Sequence, residues 1–285
     1  MSLPLPARWF AILAVTIAAF ARAESGRSPD AADPGAVQAI DDYAAAGEAA
    51  RQAGAMLLVS IAPGSDGATD VVGERLASPE MQERFTRSGV PWVICRLSRA
   101  DTGTLVSDPS LVEMRGGPGV FVVDHSHEEW RGRVVSILPR TSGRYYRFEP
   151  HHVDELASLP PASLTQRSMI LAVRLHAEQP RSTEGTCEPG LCTAAAAHSA
   201  HQARIHRQGH HGWETRSRQL GGAVAEVCAE SWEHQDLLDS CVDCVASWRQ
   251  SPGHWRAVSG THAAYGYDIR RGTNGIWYAT GIFRE

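Results

Sequence analysis

The chain has 285 residues, a formal net charge of −5, 43% hydrophobic and 21% charged residues. This is ordinary globular composition and excludes a fibre or a wholly disordered chain. All 27 basic residues are arginine, which excludes a lysine general base, a Schiff-base lysine and a P-loop. The net negative charge provides no global basic field for nucleic acid.

Residues 1–23 read as an export signal. Arg8 supplies a short positive start, residues 9–20 an apolar core too short to span a bilayer comfortably, and Ala21-Arg22-Ala23 a small-x-small cleavage site. An uncleaved anchor is the alternative. No other stretch is apolar enough to span, so the expectation is a soluble, secreted or periplasmic protein without a transmembrane segment in its mature form. Residues 24–36 read as a disordered leader.

Charge and cysteine usage divide the remainder. Residues 24–159 hold 13 Arg and 20 acidic residues, whereas residues 160–285 hold 12 of each and nine of the 13 His. Five of the six Cys follow residue 186. Leu159-Pro160-Pro161 is a natural joint, and the length suits two domains.

In the first part, residues 37–53 have helical spacing and residues 55–61 form a continuous apolar run suited to a buried strand. Residues 70–87 read as one helix, 90–97 as a strand, and 108–114 as a short helix capped by Asp108. Residues 119–124 and 132–138 read as a hairpin, and 151–159 as a closing helix. His125 and His127, in the hairpin loop beside Glu128 and Glu129, lack the fixed spacing of a metal site and read as solvated.

This order of elements, with the Gly116-Gly117-Pro118-Gly119 turn ahead of a strand, resembles the thioredoxin fold over residues 37–160. The resemblance implies a cis proline at Pro118 and a Cys-x-x-Cys after the first central strand. That position reads Ala62-Pro63-Gly64-Ser65-Asp66-Gly67-Ala68-Thr69. Without its cysteines the domain is expected to be redox-inert, a scaffold or a binding module. Cys95, inside a strand, reads as a small buried hydrophobe.

In the second part, residues 164–176, 191–208 and 236–250 read as helices, and 264–269 with 276–283 as a terminal hairpin. Ala194 to Ala203 followed by Gly209-His210, then Ala225-Glu226-Val227-Cys228-Ala229, then Trp248-Arg249-Gln250-Ser251-Pro252-Gly253-His254, then the closing hairpin, together resemble the CAP superfamily (cysteine-rich secretory proteins, antigen 5, pathogenesis-related proteins) over residues 162–285. The whole is thus expected to be an α/β (α+β) chain, thioredoxin-like and then an α-β-α sandwich of CAP type.

The resemblance implies a cleft holding two His and two acidic residues. On this chain these are His210, His254 and Glu226, with His211 and Glu230 as substitutes for His210 and Glu226. The second acid falls on Ser251, which weakens acid–base catalysis. Two neutral imidazoles and a carboxylate suit a divalent cation such as zinc. Ser251 has no triad or strained elbow around it and reads as a helix stop. Trp248 and Trp255 are expected to wall the cleft. His176, His198, His201, His206 and His262 read as solvated.

Two functions stand. One is a non-enzymatic extracellular or periplasmic binding protein for a lipid, peptide or cell-envelope ligand. The other is a metal-assisted peptidase or esterase using His210, Glu226, His254 and Ser251. Export favours disulfides. Cys187 and Cys192 bracket a Glu-Pro-Gly-Leu turn that suits a small-loop bridge, and Cys228 is expected to pair with Cys241 or Cys244. A Cys241-x-x-Cys244 redox pair is the alternative, though mid-helix thiols lack an activating dipole.

Overall fold

The structure, a computed structural model, describes residues 37, 39–64, 70–99, 101–102, 105, 108–115, 117–221 and 223–285. The expected signal sequence and leader lie outside the described residues, as do residues 65–69 of the turn after the first central strand. Residues 37–285 fall in one unit, an α+β arrangement of two mixed sheets.

The first sheet is built by β1 (Ala39–Ile40), β2 (Met56–Ile61), β3 (Trp92–Leu97), β4 (Gly119–Asp124) and β5 (Arg133–Pro139), in the order β1-β3-β2-β4-β5. The β1, β2 and β3 strands run parallel, while β4 is antiparallel to β2 and β5 to β4. All six residues of β2 are buried, as expected for a central strand covered on both faces. Helix α1 (Tyr43–Ala53) starts where Asp42 accepts the Ala45 N–H and stops at Gly54, whose left-handed φ of 58° suits glycine.

The single helix expected at 70–87 is two, α2 (Val71–Leu76) and α3 (Pro79–Arg87). Ser78 is extended and caps α3, and Pro79 takes its first position, where a missing N–H costs nothing. The expected short helix is a 3₁₀ turn at Pro109–Met114 with Asp108 as its cap. All described peptide bonds are trans, so the cis proline implied at Pro118 is not there. Helix α4 (His152–Leu156) closes this part.

Helix α5 (Leu164–Arg174) opens with a capping box between Ser163 and Gln166. It packs against β5, against α8 (Leu237–Gln250), and against β8 (Ala264–Arg271) of the second sheet. One helix therefore serves both sheets, and buried apolar residues run without interruption from Leu57 and Phe121 through Met169 and Ile170 to Trp248 and Tyr267. Arg167 is buried at this joint. Its Nε donates to Ser136 at 2.8 Å, and its Nη atoms donate to the carbonyls of Leu156, Leu159 and Pro160 at 3.0–3.1 Å.

The second sheet has the order β6-β8-β9-β7, with β6 (Thr186–Cys187) parallel to β8 and β9 (Trp277–Arg284) antiparallel to both β8 and β7 (Val224–Glu230). Alternation along its strands separates two faces. On one, Tyr267 packs on Trp248 of α8, with ring centroids 5.9 Å apart. On the other lies α6 (Pro189–Ile205), whose Ser199 and Gln202 both donate to Thr280 at 3.0 Å. A Cβ on Gly266 would fall 2.3 Å from the Cys192 backbone, so only glycine lets α6 come this close to β8. The result is three layers: α6, the sheet, and α8 with α5. Two further short helices, α7 (Trp213–Gln219) and α9 (Pro252–Ser259), complete the chain. Among the described residues no helix is long and apolar enough to cross a membrane.

Candidate functional site

Three element ends meet on the α6 side of the second sheet. Helix α6 stops at His206, whose φ is 52°, and Gly209 and Gly212 turn the chain so that His210 precedes α7. Strand β7 carries Glu226, in register with Ile282 and so on the face of Thr280 and α6. Helix α8 ends at Ser251, which is extended before Pro252, and α9 then carries His254 in its first turn.

The Nδ1 of His210 lies 3.0 Å from Glu226 Oε1. The other carboxylate oxygen accepts from both Nε (2.8 Å) and Nη2 of Arg216, and Arg216 Nη1 donates to the His211 carbonyl. Glu226 is buried beside the equally buried His198, whose Nε2 lies 2.9 Å from the Gly209 carbonyl and 3.8 Å from Glu226. Burial pushes the Glu226 carboxyl up, but the His210 hydrogen bond, His198 and Arg216 outweigh it and hold it below the usual carboxylate range. An ionised carboxylate here accepts the Nδ1–H of His210 and so leaves Nε2 with its lone pair.

That Nε2 faces the Nε2 of His254 at 3.4 Å, with ring centroids 5.6 Å apart. Two imidazoles on a tetrahedral zinc, with bonds of about 2.0–2.1 Å, hold their nitrogens about 3.3 Å apart. Burial and the neighbouring His210 ring push His254 below the ordinary histidine value, which favours the neutral, ligating form. The pair fits a cation that keeps its other positions open.

The expected set is therefore rearranged. His210, His254 and Glu226 come together, but Glu226 is not a ligand beside them: it sits behind His210, on the ring nitrogen away from His254, and both its oxygens are engaged. His211 turns from the pair toward His201, with ring centroids 6.0 Å apart. Glu230 is exposed at the far end of β7. Ser251 is the hinge between α8 and α9 and, among the described residues, makes only backbone hydrogen bonds there. The expected aromatic wall is absent, because Trp248 is buried on the opposite face of the sheet and Trp255 packs on His176, 4.8 Å between ring centroids.

Two participants were missed by sequence reasoning. His198 is buried rather than solvated, and its signal was the stripe it shares on α6 with Ala195, Ser199 and Gln202. Arg216 left no signal, since α7 buries none of its residues. In the first part, His127 is held by Asp124 Oδ2 at 2.9 Å.

The cysteines also depart from expectation. All six are free, and the Cys187 and Cys192 sulfurs stand 3.4 Å apart, unbonded. Cys228 is in register with Thr280 and faces α6, with its Sγ 3.8 Å from His210 Nδ1. Cys241 and Cys244 lie buried on α8, so the sheet stands between Cys228 and both expected partners.

Compared with protein-family models, curated proteins and solved structures, the chain matches none.

Proposed function

We propose that this chain is an exported, non-enzymatic binding protein of CAP type whose cleft holds a divalent cation such as zinc between His210 and His254. The observation that carries this is the 3.4 Å between their Nε2 atoms, with the far nitrogen of His210 committed to Glu226. A carboxylate behind a metal-binding histidine fixes its tautomer and raises its basicity. A cation held there would supply a Lewis-acidic centre with positions left open to a lipid head group, a peptide or another cell-envelope group.

The CAP reading is supported by the run Trp248-Arg249-Gln250-Ser251-Pro252-Gly253-His254, by the three layers and by the closing β8–β9 hairpin. A thioredoxin-like origin of residues 37–160 is supported by the order β1-β3-β2-β4-β5 and its strand directions. Its turn at residues 62–69 lacks cysteine, and it serves as a redox-inert scaffold. Hydrolysis is disfavoured because Glu226, the carboxylate nearest the pair, is engaged by His210 and Arg216, and Ser251 stands where a second acid would act.

Zinc titration of the purified protein tests this. One equivalent binds, His254→Ala abolishes it, and the loaded protein turns over neither ester nor peptide substrates. Zinc-dependent turnover lost in His254→Ala but kept in Ser251→Ala would establish a hydrolase instead.

A further inference from the structure

Residues 206–212 link α6 to α7, and His210 stands among them with its ring half exposed. A side chain on such a link keeps its place only if the backbone beneath it is tied down. Here the tie falls on the residue just before it. The carbonyl of Gly209 lies 2.9 Å from His198 Nε2, and the Gly209 N–H donates to Gln202 Oε1 at 3.0 Å. A carbonyl only accepts, so His198 Nε2 carries the proton. The two bonds fall on consecutive peptide planes, Gln208–Gly209 and Gly209–His210. Each plane is rigid, so holding both sets the direction in which the His210 side chain leaves the backbone.

The two holding groups are themselves fixed. His198 and Gln202 stand four residues apart on α6, hence on one face, and both are buried. Gln202 Nε2 donates to Thr280 at 3.0 Å, which commits its amide oxygen to Gly209. His198 Nε2 also lies 3.8 Å from Glu226 Oε1, the oxygen that faces His210 Nδ1. Burying a polar side chain is costly unless it meets a partner, and Gly209 is a partner of both. We propose that His198 and Gln202 are positioning residues of the His210–His254 pair: through Gly209 they hold His210 Nδ1 on Glu226 and leave its Nε2 opposite His254.

Proton–nitrogen correlation spectra of the imidazoles in the purified, metal-free protein test this, with the His210 signals assigned by their loss in His210→Ala. Wild-type His210 is expected as a single tautomer with its proton on Nδ1. His198→Asn carries an amide one carbon too short to reach Gly209, whereas His198→Gln places an amide nitrogen close to where the imidazole Nε2 stood. His198→Asn and Gln202→Met should each move His210 toward the tautomer mixture of a free imidazole, with circular dichroism unchanged, and His198→Gln should restore the wild-type pattern. Where one of the first two does not fold, the other decides. Zinc affinity should fall about tenfold or more in those two and recover in His198→Gln. This zinc arm rests on the cation reading above, and the spectra do not: tautomer changes in a protein that takes up no zinc would sustain the positioning role and remove the cation. A wild-type His210 already in the mixture, a folded His198→Asn or Gln202→Met that keeps the Nδ1 proton, or His198→Gln behaving as His198→Asn would overturn the proposal.

Discussion

Glu226 takes the Nδ1 of His210 on one carboxylate oxygen at 3.0 Å and the guanidinium of Arg216 on the other, so one buried group both orients an exposed ring and is neutralised from behind. Glu226→Gln keeps the shape but removes the charge. An amide can still satisfy His210 by donating from its nitrogen, which reverses the ring's tautomer. Zinc affinity should fall by about 10–100-fold, the usual consequence of losing such a supporting partner. Isothermal titration beside circular dichroism separates this from unfolding. Unchanged affinity in a folded variant would remove Glu226 from the account.

His254 should titrate below the ordinary histidine value of about 6.5, because burial and His210 both disfavour its charged form. The native state then binds fewer protons than the unfolded one as pH falls through that value. By linkage, the stabilisation is complete above about pH 6.5 and is lost as pH falls through the lower folded-state pKa. Imidazole proton shifts give the midpoint directly, and His254→Gln should flatten the pH dependence of urea stability. A midpoint above 6.5 would contradict the packing described.

Arg167 is buried with no carboxylate among its hydrogen-bond partners, its guanidinium serving Ser136 and three carbonyls around the Leu159-Pro160 joint. Burial pulls its pKa down to about 10, so it remains charged at neutral pH. Arg167→Met leaves those acceptors unpaired, and the expected loss is about 3 kcal/mol or more. Urea denaturation should show the lower midpoint in a single transition, because α5 belongs to both sheets. Two separate transitions would mean that the halves are not coupled through this helix.

The cysteines should differ in reactivity. Cys187 is only partly buried, and the hydrogen bond from Cys192 lowers its pKa, whereas burial pushes Cys241 and Cys244 far up. Timed alkylation of reduced native protein, read by mass spectrometry, should label Cys187 first and Cys241 and Cys244 only after unfolding. Early labelling of Cys241 or Cys244 would show that α8 opens locally.

What was legible in the sequence followed periodicity and strong local punctuation. The apolar run of β2, the β4–β5 hairpin and the Ser251-Pro252 stop each have a local cause. The break at Ser78-Pro79 was written in the residues too, but the helical period of 70–87 continues across it and hides it. Strand β6 is two residues long, and α7 is polar after Trp213 and buries none of its residues, so neither leaves a pattern. His198 was misread because α6 has little apolar contrast: its buried stripe combines Leu191 and Ala195 with Ser199 and Gln202, and a histidine there looks no different on its wet side. The pairing of Cys228 failed because strand alternation assigns it to one face and α8 lies on the other, a fact of layer order rather than of spacing.

The central claim is that two imidazoles, and no thiolate or carboxylate, hold the cation. X-ray absorption on the zinc-loaded protein reads this most directly. The account predicts two histidine nitrogens at about 2.0–2.1 Å with oxygen in the remaining positions, and no bound zinc in His254→Ala. A sulfur scatterer at about 2.3 Å, which would bring in Cys228, or a spectrum unchanged by His254→Ala, would contradict it.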